Sequence, residues 1–207
     1  MVIPGSRQVG RGTAALIWGS IVLVLADLIV YQVLIRSQGA GSPESAAVVP
    51  FVSGYMVLME ALLLLSLLDQ PRLATMRPAL LAAAAAGLAV LGIFAAFSIG
   101  LPLFAAGILA GIAGIKAVVG RASKNAALPV VGAVAIALIV LVGGFEVTQR
   151  IIICPPTGTM SGGGSGFLTG AYHYECVDGT LTWHAGECNA GGQGSDANGN
   201  PVPLSSC

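Results

Sequence analysis

The sequence predicts an all-α membrane protein, a five-helix transmembrane bundle that ends in a small disulfide-stapled, β-hairpin-containing exoplasmic C-terminal domain. Three observations predict it. Hydrophobic residues make up 56% of the 207 and charged residues 9%, too few charges to build a water-facing surface. The apolar residues gather into five runs of spanning length before residue 150. All four cysteines, Cys154, Cys176, Cys188 and Cys207, follow the last of those runs, in a segment rich in Gly, Ser, Asn and Pro.

A helix needs roughly 20 apolar residues to cross the ~30 Å hydrocarbon core. After a cytoplasmic N-terminus at 1–12, the first run covers 13–35, between Arg11 and Arg36. Its length exceeds the apolar core of a signal peptide and no small-residue cleavage pattern closes it, so it reads as an uncleaved anchor. The second covers 46–68 and stops at Asp69-Gln70-Pro71. The stretch from Pro78 to Val119 would measure about 63 Å as one straight helix, twice the core thickness, and must fold back. Gly100 and Pro102 mark the break, which predicts spans at 79–99 and 101–119. The fifth run, 128–148, is closed by Arg150. The bundle is thus 13–150 and the extracytoplasmic domain 151–207.

Lys and Arg in short loops are retained on the cytoplasmic side. With the N-terminus inside, that side receives Arg7, Arg11, Arg72, Arg77, Lys116, Arg121 and Lys124, and the other receives Arg36 and Arg150. Five spans then carry the tail out, where an even number of cysteines in a small hydrophilic segment reads as two disulfides. The two inferences are independent and agree on a multi-pass plasma-membrane protein. The zero formal net charge gives no field for nucleic acid.

Helices in lipid associate through small residues and polar contacts. Gly107, Gly111 and Gly114 narrow one side of the fourth span, for packing against span three or five or for self-association. Asp27 and Glu60 lie nine residues inside Arg36 and Asp69, ~13 Å from their boundaries and at similar depth. Ser20 and Tyr31 share the helical face of Asp27, and Ser53 that of Glu60. A carboxylate there is costly, faces the bundle interior, and serves either as neutral interhelical glue, as a partner contact or as a proton or ion site. Glu146 and Arg150, four apart, read as a helix-end ion pair.

In the tail, Asp178-Gly179 between two alternating runs predicts a hairpin over 172–185 with a two-residue type I′ turn. That register sets Val177 opposite Thr180, Cys176 opposite Leu181, Tyr174 opposite Trp183 and His173 opposite His184. One face then carries Tyr172, Tyr174, Cys176, Leu181 and Trp183, and the other His173, Glu175, Thr182 and His184. Because Cys188 lies beyond the open end of the hairpin, a Cys176–Cys188 bond is disfavoured; of the two remaining connectivities, Cys154–Cys176 with Cys188–Cys207 is favoured over Cys154–Cys188 with Cys176–Cys207. The glycine-rich segments at 161–166 and 191–199 read as exposed loops. His173 and His184 with Glu175 form a candidate metal site that needs a further ligand such as Glu187.

No nucleophile elbow, phosphate-binding glycine loop, zincin pattern or CxxC spacing is present, so enzymatic chemistry and a resident cofactor are not expected. The expectation is an accessory or scaffold subunit whose partners are the lipid bilayer and another membrane protein or a second copy. The alternatives are a small proton- or ion-coupled transport component using Asp27 and Glu60, and an exoplasmic metal-binding protein using His173 and His184.

Overall fold

The computed structural model describes residues 10–37, 45–95, 100–119, 127–186, 192–195 and 201–204. In chain order these form α1 (Arg11–Ser37), α2 (Ser45–Leu67), α3 (Pro71–Phe94), α4 (Gly100–Val119), α5 (Ala127–Thr148), β1 (Thr159–Gly166), β2 (Gly170–Val177), β3 (Thr180–Ala185), β4 (Gly192–Ser195) and β5 (Pro201–Leu204). All five helices are long and apolar enough to cross a membrane. Two compact units divide them: α1 with Val49–Gly144, and the chain from Phe145 onward.

The chain breaks between helices differ from the sequence expectation in one place. The third helix runs from Pro71 to Phe94 rather than over 79–99. Proline lacks an N–H and is preset for a helix's first turn. Pro71 therefore starts α3, and Pro102 sits inside the first turn of α4, as a span at 101–119 implies. The turn lies earlier, at Ala95, whose carbonyl accepts the Gly100 N–H at 2.8 Å. The early start of α3 also moves Arg77 out of the loop to which its charge was assigned. It is 5% exposed, and its guanidinium donates to Leu68 O at 3.2 Å and Asp69 Oδ1 at 3.4 Å, closing the α2–α3 turn.

α4 is the centre of the helical unit, packed most extensively on α3 and next on α1. The antiparallel α3–α4 pair approaches at the backbone. A Cβ on Gly107 would lie 2.8 Å from Ala89 N and 3.0 Å from Ala85 O, and one on Gly92 would lie 2.6 Å from Phe104 N. Small residues are what permit that approach. Gly111 and Gly114 are looser, with nearest atoms at 3.8 Å and 3.5 Å. Around this seam lie Ile17, Ile21 and Val24 of α1, Leu81, Leu88 and Leu91 of α3, and Leu103, Ala106, Ala110 and Ala113 of α4, all buried. α2 adds Tyr55, Met56, Met59 and Leu63, and the Tyr55 hydroxyl donates to Ala137 O of α5 at 3.0 Å.

The outward faces are apolar too. Ile29, Ile115, Ile136 and Leu128 are 63%, 65%, 64% and 82% exposed. These helices are hydrophobic all round and lack the polar face of a surface helix in water.

In the second unit, β1, β2 and β3 form an antiparallel sheet in that order. The β2–β3 ladder pairs Val177 with Thr180, Cys176 with Leu181, Tyr174 with Trp183 and His173 with His184, the partners implied by the Asp-Gly spacing. Asp178 and Gly179 take φ of 46° and 82°, as a type I′ turn requires. Asp178 also accepts the Gly158 N–H at 2.9 Å, which ties β1's approach to the turn. Tyr174 and Cys176 are buried, and Cys176 is bonded to Cys154 across a Cα–Cα distance of 5.5 Å. The Cys188 and Cys207 pairing lies outside the described residues.

Residues 161–166, expected as a loop, are strand: β1 pairs with β2 from Thr159–Val177 to Gly166–Gly170. The glycines serve close approach. A Cβ on Gly163 would lie 2.8 Å from Tyr172 O, and one on Gly164 would lie 2.6 Å from the Tyr172 hydroxyl, so β1 leaves room for the β2 side chain to cross it. Part of the second glycine-rich segment is likewise strand, with β4 paired to β5 from Gly192–Leu204 to Ser195–Pro201.

Candidate functional site

Ser20 and Asp27 lie on the buried face of α1. Ser20 is fully buried and donates to Ala106 O of α4 at 2.9 Å. Ile17, Ile21, Val24 and Asp27 share that face, and Asp27 is 4% exposed with Oδ2 lacking a hydrogen-bond partner among the described residues. Tyr31, one turn further on, is half-buried. On α2, Ser53 accepts from Gln32 Nε2 of α1 at 2.8 Å and donates to its own helix at Val49 O. Gln32 escaped the sequence argument, although an amide inside an apolar span is itself a signal of a polar contact.

Glu60 is 8% exposed, on the side of α2 that also buries Met56, Met59 and Leu63. Met59 and Tyr55 of that side reach the position where a Cβ on Gly87 of α3 would stand. No hydrogen bond or ion pair among the described residues joins Asp27 to Glu60. Counting residues from the helix ends estimates depth, but two carboxylates meet only if their azimuths also agree. Ser20, on the Asp27 face, bonds to α4, while Ser53, on the Glu60 face, bonds to Gln32 of α1.

The two histidines stand opposite each other in the ladder, both half-buried, with His173 Nε2 unpaired. Among the described residues no group of three His, Cys, Asp or Glu side chains gathers as a metal site. Two imidazoles fall short of the three or four protein ligands that zinc takes. Glu187, the further ligand considered, lies outside the described residues.

The most convergent polar arrangement lies at the end of α5, and sequence reasoning saw half of it. Glu146 and Arg150 approach only to 3.9 Å. Glu146 is held chiefly by the β1–β2 turn, accepting from the Thr169 hydroxyl and from Leu168 N–H. The Tyr172 hydroxyl donates to Gln149 O at 3.1 Å, a second tie between the helix end and β2. These partners lie more than twenty residues along the chain from the helix end, so no helical spacing announces them. Together they frame a cavity of about 340 Å³ lined by Arg150, Thr169, Tyr172, Trp183 and His184. Tyr172 and Trp183 form its aromatic wall, ring centroids 5.2 Å apart.

No family model, curated protein or solved structure matches this chain. A second, larger cavity of about 630 Å³ runs along α3 and α4 past Ala85, Ala89, Phe104, Gly111 and Ile115, and is apolar throughout. It offers no group that would orient a substrate.

Proposed function

We propose that the chain is a multi-pass protein of the plasma membrane, N-terminus cytoplasmic and C-terminus outside, which acts as an accessory or scaffold subunit of a larger membrane assembly. The sheet unit is its extracytoplasmic contact domain. The observation that carries this reading is the thin attachment of α5, the helix that leads into the sheet. Only 11% of its apolar window is buried within the chain, against 56% for α3, and its buried side chains are Ala137 and Leu141. Gly132 and Gly143 of that helix have open space beside them, the kind of small-residue surface that another helix can approach closely.

One observation favours a second reading, ion or proton coupling: a buried carboxylate with an unpaired oxygen at Asp27.

Extraction in a mild detergent tests both. The expected result is a particle larger than one copy plus its micelle, unchanged by Asp27→Asn with Glu60→Asn. A strictly monomeric particle contradicts the scaffold reading. An ion-dependent activity that the double substitution abolishes favours the second.

A further inference from the structure

The cavity at the end of α5 has a composition unlike anything else described in the chain. It combines the Arg150 cation, the Thr169 and Tyr172 hydroxyls, the His184 imidazole and an aromatic wall on a frame tied at two points. Arg150 is half-exposed, and its single described ion pair is the long one to Glu146. Because Glu146 is already engaged by Thr169 and Leu168, most of the five guanidinium N–H donors have no acceptor among the described residues and are open to an external one. Arginine's planar fork matches the oxygens of a phosphate better than any other side chain.

Position adds to chemistry. Arg150 is the first charged residue after α5, and if α5 spans the bilayer it stands at headgroup depth, where Trp and Tyr also settle. Trp183 is 39% exposed and Tyr172 is anchored through its hydroxyl, so the wall is both open and fixed. A volume of about 340 Å³ suits a headgroup-sized ligand and falls at the lower end of small-molecule sites.

We propose that this cavity binds a phosphate ester, the phosphate paired with Arg150 and the adjoining glycerol or sugar carbons set against Tyr172 and Trp183. The source in place is the headgroup of an anionic phospholipid, with a soluble phosphate ester as the alternative. This deepens the membrane reading above and rests on it for the choice of source. It also gives the sheet unit a role: a lipid-anchored platform whose orientation is fixed at the surface.

The test uses the full chain in an uncharged detergent with Trp18→Phe, which leaves Trp183 as the one tryptophan. Its emission is titrated with phosphatidylglycerol, with a diacylglycerol of the same acyl chains, and with glycerol 3-phosphate. The expected result is a saturable change with phosphatidylglycerol and none with diacylglycerol. Arg150→Gln weakens it at least tenfold, and Arg150→Lys weakens it less. Saturation by glycerol 3-phosphate with equal affinity supports the site and makes a soluble ester its source. Equal responses to phosphatidylglycerol and diacylglycerol, an Arg150→Gln protein within twofold of the parent, or no saturable response to either phosphate probe would overturn the proposal. Because the titration is done in micelles, it does not depend on which way the chain crosses a membrane, and either idea can fail without the other.

Discussion

Replacing Cys154 and Cys176 together by serine is expected to unfold the sheet unit while leaving the helices intact. The bond closes a loop of 22 residues, and removing that constraint costs about 3 kcal/mol through the entropy of the open chain. Cys176 is fully buried beside Tyr174, so a serine there also places a hydroxyl in an apolar site, adding about 1–3 kcal/mol if it finds no partner. A unit this small draws little from its core, since Tyr174 and Cys176 are the buried hydrophobic residues described in it. The two losses together match what such a domain holds. Thermolysin digestion of the full chain checks this: the parent tail resists, the double-serine tail is cut quickly, and helical circular dichroism is retained in both. A double-serine tail as resistant as the parent would show that the ladder stands without its staple.

The second large effect is expected at Gly107. A methyl group there meets Ala89 N at 2.8 Å and Ala85 O at 3.0 Å, and both are backbone atoms of a packed helix that cannot rotate aside. Gly107→Ala should cost about 1–3 kcal/mol as α3 and α4 are pushed apart, and Gly107→Leu more. Gly111→Ala is the control. Its new methyl would sit 3.8 Å from Ala85 Cβ, ordinary contact, and the change should stay within about 0.5 kcal/mol, as at sites without a special role. Thermal unfolding in detergent ranks the three. Equal melting of the Gly107→Ala and Gly111→Ala proteins would mean that the α3–α4 seam is not a close one.

These two expectations show which parts of the architecture can be read from residue order and which cannot. Run length and bounding charges locate five helices because the hydrocarbon length of a spanning helix is a one-dimensional property. Asp178-Gly179 determines a ladder because positive φ at two adjacent residues admits few turns. The turn before α4 was misplaced because proline both ends one helix and begins the next, and periodicity alone does not choose. Strand β1 looked like a flexible loop because its glycines contribute no side chain. What makes it a strand is Tyr172 crossing above it, a fact of the partner strand.

The candidate sites follow the same division. Asp27 and Glu60 were found as buried carboxylates because a charge within an apolar run is visible by composition. Which neighbour each faces depends on how the helices rotate against one another, and run length does not fix that. The cavity beside Arg150 was out of reach for a related reason. Its walls come from the end of α5, the β1–β2 turn and strands β2 and β3, and only the Glu146–Arg150 spacing is local.

The account depends on five crossings that leave the cysteine-bearing tail on the far side of the membrane. The direct measurement is a pair of fusions at residue 207, one to a reporter active only outside the cytoplasm and one to a reporter active only within it. The account predicts activity from the first and silence from the second, with Cys154 and Cys176 recovered as an oxidised pair from intact cells. Activity from the cytoplasmic reporter, with both thiols recovered reduced, would contradict it.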